Sequence, residues 1–116
     1  MNYQITSDNM EVTPSMEILT KDKFVRIEHR LRDIADDTKY ARIVLNTAPE
    51  ESFMVKAHVV ANGKEYFSQS TDYSLEGALI KVCEELVVEL DKSKQINMHE
   101  NHRLEATVVE DSLKSE

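Results

Sequence analysis

The sequence predicts an α+β fold with elements in the order β-α-β-β-β-α, in which a four-stranded sheet carries two helices packed on one face. Two stretches place apolar residues at steps of three or four, which is the repeat of an amphipathic helix. Between them, alternating apolar and polar residues indicate half-buried strands. A sheet with one apolar face, covered by both helices, is the simplest arrangement that buries these apolar stripes.

The N-terminal part of the chain is predicted to form a short strand and the first helix. Tyr3 and Ile5 alternate with polar neighbours, as in a strand. Thr13 can cap a helix that starts at Pro14, because proline suits the first helical position. This helix is expected to run to about Asp33. Its predicted buried face consists of Met16, Thr20, Phe24, Ile27 and Leu31.

Three further strands are predicted in the middle of the chain. They cover about residues 39–45, 52–61 and 64–70. The last two are joined by Asn62-Gly63, which favours a type I′ hairpin turn because both positions need a positive φ. The alternation predicts that Val55, Val59 and Phe67 face the helices, with His58 on the opposite surface. A register slip of one residue would invert that arrangement.

A second helix is expected to begin near Asp72 or Ser74, either of which can cap it, and to end near Lys92–Lys94. Its predicted buried stripe consists of Leu75, Ala78, Leu79, Val82, Leu86 and Leu90.

Cys83 lies beside this stripe. We expect a small core residue there and not a nucleophile, because no histidine is placed near it.

The length predicts one domain over residues 1–94, followed by a flexible polar C-terminal tail over residues 95–116. The net charge of −8 argues against general nucleic-acid binding, which needs a local excess of Lys and Arg, although an acidic protein can still carry a basic stripe. No stretch approaches the roughly 20 apolar residues that span a bilayer, and no signal peptide is visible. With a single cysteine, the chain fits a reducing, cytoplasmic compartment.

Few residues could carry chemistry, and no enzymatic activity is expected. The two glycines, Gly63 and Gly77, cannot form a glycine-rich phosphate loop. His99 and His102 form the best metal-like pair, but no further Cys or His lies nearby, so a solvated tail is the better interpretation. No nucleophile, base and oxyanion donor come together in the pattern. Neither a metal nor a cofactor is expected.

The feature that stands out is a basic stripe on the first helix, formed by Lys23, Arg26 and Arg30. Their spacing of three and four residues places them on one helix face. By itself, this pattern is better interpreted as an ordinary exposed face that nearby acidic residues balance. We use the name basic stripe for these three residues below.

The chain resembles the ribosome hibernation-promoting factors, in particular the short protein Y type of the S30AE family. The resemblance extends over residues 1 to about 94. It is carried by Ile5-Thr6-Ser7 and Met10-Glu11-Val12-Thr13-Pro14, by Phe24-Val25-Arg26-Ile27-Glu28, by Arg42-Ile43-Val44-Leu45, by the Asn62-Gly63 hairpin and by Ala78-Leu79.

This resemblance implies a non-enzymatic protein that binds the small ribosomal subunit in the channel used by mRNA and tRNA, and that inhibits translation under stress. The implied partners are the 30S subunit and the 70S ribosome, through 16S rRNA, with no small-molecule substrate. The implied rRNA-binding residues are Lys23, Arg26, Arg30 and Lys92. On the second helix, two basic positions of the family are Glu85 and Val88 here, and only Lys92 keeps its charge.

Residues 1–94 contain 12 basic and 17 acidic side chains, a net charge of −5, so the acidity is not confined to the tail. A second interpretation therefore stays open, in which a diverged family member binds protein, or forms a homodimer through the second helix, without binding the ribosome. A weaker third interpretation is an acidic regulator that mimics nucleic acid, with Glu84, Glu85 and Glu89 as its candidate residues.

Overall fold

The computed structural model describes the backbone of residues 1–109 and the side chains of residues 1–93. It confirms the predicted α+β fold and the order β-α-β-β-β-α, with the first predicted helix present as two segments. The elements are β1 (Asn2–Thr6), α1 (Pro14–Lys23), α2 (Val25–Arg30), a 3-10 turn (Asp36–Thr38), β2 (Lys39–Ala48), β3 (Ser52–Ala61), β4 (Lys64–Asp72) and α3 (Leu75–Val109).

The four strands form one mixed sheet in the order β1-β2-β3-β4. β1 and β2 are parallel, because α1 and α2 provide the crossover between them, whereas the other two pairs are antiparallel. Side chains from the inner face of the sheet and from all three helices form a single core. Its largest fully buried members include Phe24, Ile27, Ile43, Leu45, Val55, Val59, Leu79, Val82 and Leu86.

The hairpin between β3 and β4 is the two-residue turn that the sequence predicts. Asn62 and Gly63 have φ values of 53° and 81°. This turn pairs Val59 with Tyr66 and His58 with Phe67. Directly opposed residues share a face, so Tyr66 lies on the core side and Phe67 on the opposite side. Val55 and Val59 are buried as predicted, but the prediction for Phe67 is wrong, since its side chain is 66% exposed.

The first predicted helix is interrupted at Phe24, and it ends at Arg30 and not near Asp33. Phe24 has φ −82° and ψ 0°, which separates α1 from α2. The hydroxyl of the buried Thr20 donates to the Met16 carbonyl at 2.8 Å, and such bonds within a helix often bend it. The break leaves Phe24 fully buried, edge-to-face with Tyr3. Thr13 caps α1 as predicted.

Of the two caps predicted for α3, Ser74 is the one used, because its hydroxyl accepts the Gly77 N–H at 2.9 Å. The predicted end near Lys92–Lys94 is wrong, since the helical backbone continues to Val109. No glycine or proline follows Gly77, so nothing in the sequence stops the helix earlier. Flexibility of the predicted tail stays a prediction, and residues 110–116 lie outside the described residues.

Candidate nucleic-acid interface

Within the described side chains, two cations of the basic stripe form ion pairs and one does not. Lys23 Nζ lies 2.9 Å from Glu76 Oε2, and Arg30 Nε donates to Asp91 Oδ1 at 3.1 Å. The hydrogen bond to Glu76 raises the pKa of Lys23, which keeps this ammonium charged. Arg26 is exposed and makes no ion pair with any side chain among residues 1–93. The sequence therefore located the stripe but not its acidic partners.

These two ion pairs connect α1 and α2 to α3 at two widely separated positions. Glu76 lies in the first turn of α3, and Asp91 follows 15 residues later, which is about 22 Å of helix. Both carboxylates are about half exposed. Exposed pairs contribute only about 0–1 kcal/mol each, so a competing anion can replace Glu76 or Asp91 at small cost.

Lys92, the fourth predicted residue, is exposed on α3 next to Asp91. Lys92 therefore lies in the same turn of α3 as the carboxylate that pairs with Arg30, whereas Lys23 pairs with Glu76 in the first turn. The remaining outer surface of α3 is acidic and partly apolar. Its exposed residues include Ile80, Glu84, Glu85, Val88 and Glu89.

A second cluster, which the sequence did not indicate as a site, lies on the sheet face opposite the helices. We define this open-face cluster as Tyr40, Arg42, Lys56, His58 and Phe67. His58 stacks on Phe67, with 4.3 Å between ring centroids and 2° between planes. Tyr40 meets His58 edge-to-face, and the Arg42 guanidinium lies 5.3 Å from the centroid of the Tyr40 ring. The two-residue turn at Asn62-Gly63 pairs Phe67 with His58, and this pairing is the signal in the sequence that could have indicated the cluster.

The open-face cluster is locally cationic. Arg42 and Lys56 are exposed, and within residues 1–93 neither forms an ion pair. Glu65 is the one acidic strand residue that the register places on this face, and its carboxylate is 2.9 Å from His58 Nε2. A shallow depression of about 420 Å³ lies among Arg42, Lys56, His58 and Phe67.

Other kinds of site find little support in the described part of the chain. Within it, no three His, Cys, Asp or Glu side chains are grouped as a metal site would require. The predicted histidine pair, His99 and His102, lies outside the described side chains.

Cys83 is 1% exposed, which confirms the predicted core position, and burial raises the pKa of its thiol to about 12. None of the described helices has the length and apolar character of a membrane span.

Comparison with known proteins identifies similar sequences and folds. Residues 3–98 match the sequence model of the family described as Sigma 54 modulation protein / S30EA ribosomal protein. No match was found among curated proteins. The fold is similar to the N-terminal domain of Thermus thermophilus Protein Y, with a TM-score of 0.69 and 20% identity over 79% of this chain and 98% of that one.

A ribosomal subunit interface protein from Coxiella burnetii also has a similar fold. The TM-score is 0.64 and the identity 20%, over 82% of this chain and 99% of that chain. At this identity the two structures establish the shared architecture, and the match over residues 3–98 establishes the family.

Proposed function

This chain belongs to the Sigma 54 modulation protein / S30EA ribosomal protein family, and on that premise we propose that it is a ribosome-associated hibernation factor. It binds the 30S subunit and the 70S ribosome in the cytoplasm, contacts 16S rRNA and inhibits translation under stress, without catalysing a reaction. The observation that carries this proposal is the family match over residues 3–98. The similar fold of a ribosomal subunit interface protein supports it.

The basic stripe and Lys92 form the proposed rRNA-binding surface. Arg26 has no carboxylate partner among residues 1–93, so it can contact a phosphate without breaking an ion pair there. Lys23 and Arg30 must exchange a carboxylate for a phosphate, which costs about 0–1 kcal/mol for each exposed pair. The exchange replaces one charged pair with another, and the counterions that the phosphates release make it favourable.

The acidic outer surface of α3 restricts how the protein can approach rRNA. Glu85 and Glu89 would repel phosphates that lie within the screening length of about 8 Å at physiological salt. The proposed orientation therefore directs α1 and α2 toward rRNA and turns these two carboxylates away. Glu85 also accepts a hydrogen bond from the Ser68 hydroxyl, which holds it toward β4.

Co-sedimentation with purified 30S subunits and 70S ribosomes, at about 50 and 200 mM salt, tests the proposal. We expect the protein to pellet with both particles at low salt and to dissociate as salt rises, because phosphate contacts release counterions. A translation assay measures inhibition by the same preparation. Absence of the protein from ribosome pellets at low salt would contradict the proposal.

A protein-binding function through α3 is the second candidate. The observation that favours it is the exposure of apolar side chains there, with Val88 at 52% and Ile80 at 37%. A homodimer or another protein could cover them while leaving ribosomes unbound. Light scattering that gives twice the monomer mass, together with no ribosome binding, would favour this candidate.

A further inference from the structure

We propose that the open-face cluster binds a single-stranded segment of RNA, with an unpaired base stacked on the exposed side of Phe67. The cluster lies on the other side of the sheet from the helices that carry the basic stripe. The inference therefore goes beyond the proposed function. It does not require that the chain bind ribosomes, since an isolated RNA strand is a sufficient ligand.

Phe67 provides the stacking surface. One side of its ring is occupied by His58, yet 66% of the side chain remains exposed. The His58 Nε2 atom lies 2.9 Å from a Glu65 carboxylate oxygen, and this contact favours the imidazole orientation on which Phe67 stacks. Nucleic-acid bases of any sequence can stack on such a ring, because every base has a π face.

Arg42 and Lys56 provide charge complementarity. They are exposed cations without a carboxylate partner among residues 1–93, in contrast to Lys23 and Arg30. The chain has a net charge of −8, whereas the described side chains of this sheet face include two cations without ion pairs and one acid. The face therefore differs in sign from the molecule as a whole. Cations beside an exposed aromatic ring are typical of surfaces that bind the phosphates of a single strand while its bases stack on the ring.

The spacing of these groups suits a short single strand. Arg42 pairs with His58, and His58 pairs with Phe67, so the three residues form one row across β2, β3 and β4. Neighbouring strands are about 4.8 Å apart, which places the Phe67 backbone about 10 Å from that of Arg42. A base on Phe67 can therefore have its flanking phosphate near Arg42 or Lys56. Duplex RNA is a poorer ligand, because its bases are already stacked on one another.

Fluorescence anisotropy with a 5′-fluorescein-labelled octauridylate tests the inference on the full chain. We expect binding at about 50 mM salt, and Phe67→Ala should weaken it roughly tenfold, because the stacked base loses its surface. Phe67→Trp should retain binding. Arg42→Ala with Lys56→Ala should weaken binding and lower the dependence of log affinity on log salt by about 1.4, for two phosphates on a single strand.

Two controls separate this site from other surfaces. Tyr73→Ala removes another exposed aromatic ring, at 75% exposure beyond the end of β4, and should leave affinity unchanged. Circular dichroism should show that Phe67→Ala melts like the wild type, since the ring is not part of the core.

The inference is overturned by any of three results. They are an octauridylate affinity that Phe67→Ala leaves unchanged, equal affinity for an RNA hairpin duplex, and no octauridylate binding at low salt. If Phe67→Ala reduces ribosome sedimentation but the octauridylate never binds, the open face contributes to ribosome binding without taking a single RNA strand, and the RNA inference is wrong. If octauridylate binds and ribosomes do not, the inference stands while the proposed function fails.

Discussion

Removing the acidic partners of the basic stripe should strengthen ribosome binding. Glu76→Gln and Asp91→Asn abolish the ion pairs with Lys23 and Arg30 while keeping side chains of similar size. In the proposed complex those cations contact phosphates, so the bound state loses nothing. The free protein loses the pairs, and the difference appears as tighter binding.

The size of this effect follows from the exposure of the pairs. The carboxylates are 56% and 49% exposed, and the Lys23 and Arg30 side chains are 23% and 34% exposed. Solvent screens such pairs, so each contributes about 0.5 kcal/mol, near the middle of the measured range. Both together give about 1 kcal/mol, which corresponds to roughly fivefold tighter binding. The unfolding free energy of the free protein should fall by a similar amount.

A titration of labelled protein against 30S subunits at about 100 mM salt measures the gain. The matched control is Glu84→Gln with Glu89→Gln, which makes the same change in net charge on the exposed surface of α3. Neither of these carboxylates forms an ion pair within the described side chains. An equal gain in the control would show that overall charge, and not release of the two cations, controls affinity, which refutes the reasoning.

Three further predictions can be tested with the same preparations. Alanine at all three positions of the basic stripe should weaken 30S binding and lower its salt dependence by about one unit per lost phosphate contact; unchanged sedimentation would remove α1 and α2 from the interface. Glu85→Lys with Val88→Arg should tighten 30S binding at low salt if α3 faces rRNA, whereas a lost dimer with flat 30S affinity would support the protein-binding candidate. Lys39→Met should cost roughly 1.5–3 kcal/mol in urea unfolding, because it removes the charged hydrogen bond that buried Lys39 donates to the Leu31 carbonyl at 2.8 Å, although that oxygen still accepts the Ile34 N–H at 3.0 Å; a smaller loss would mean that the Lys39 bond contributes little to stability.

Local patterns sufficed to predict the order of the elements and most of the core. Asn62-Gly63 specified its turn because few residue pairs accept two positive φ values. Phe67 was assigned to the wrong face because the turn, and not the local alternation of a polar strand, fixes the register of β4. The break at Phe24 could not be predicted, because no glycine or proline lies there. It accompanies the hydrogen bond from the Thr20 hydroxyl to the Met16 carbonyl.

The candidate site was predictable only in part, because its electrostatics depend on contacts between distant residues. Helical spacing brings the basic stripe together from sequence alone. The Lys23–Glu76 and Arg30–Asp91 pairs join residues more than 50 positions apart, and no local pattern reveals them. The open-face cluster likewise requires the register of three strands.

The two cationic surfaces lie on opposite sides of the molecule, and this limits how RNA can meet both. A helical layer is about 10–12 Å thick, and the sheet separates it from the open-face cluster, so a single extended strand cannot contact both surfaces without passing around the domain. A channel lined by RNA, in contrast, would present RNA on several sides of a protein held within it. If RNA contacts the basic stripe and Phe67 at the same time, the protein is enclosed by RNA. Contact with only one of the two surfaces is consistent with docking on an open RNA surface.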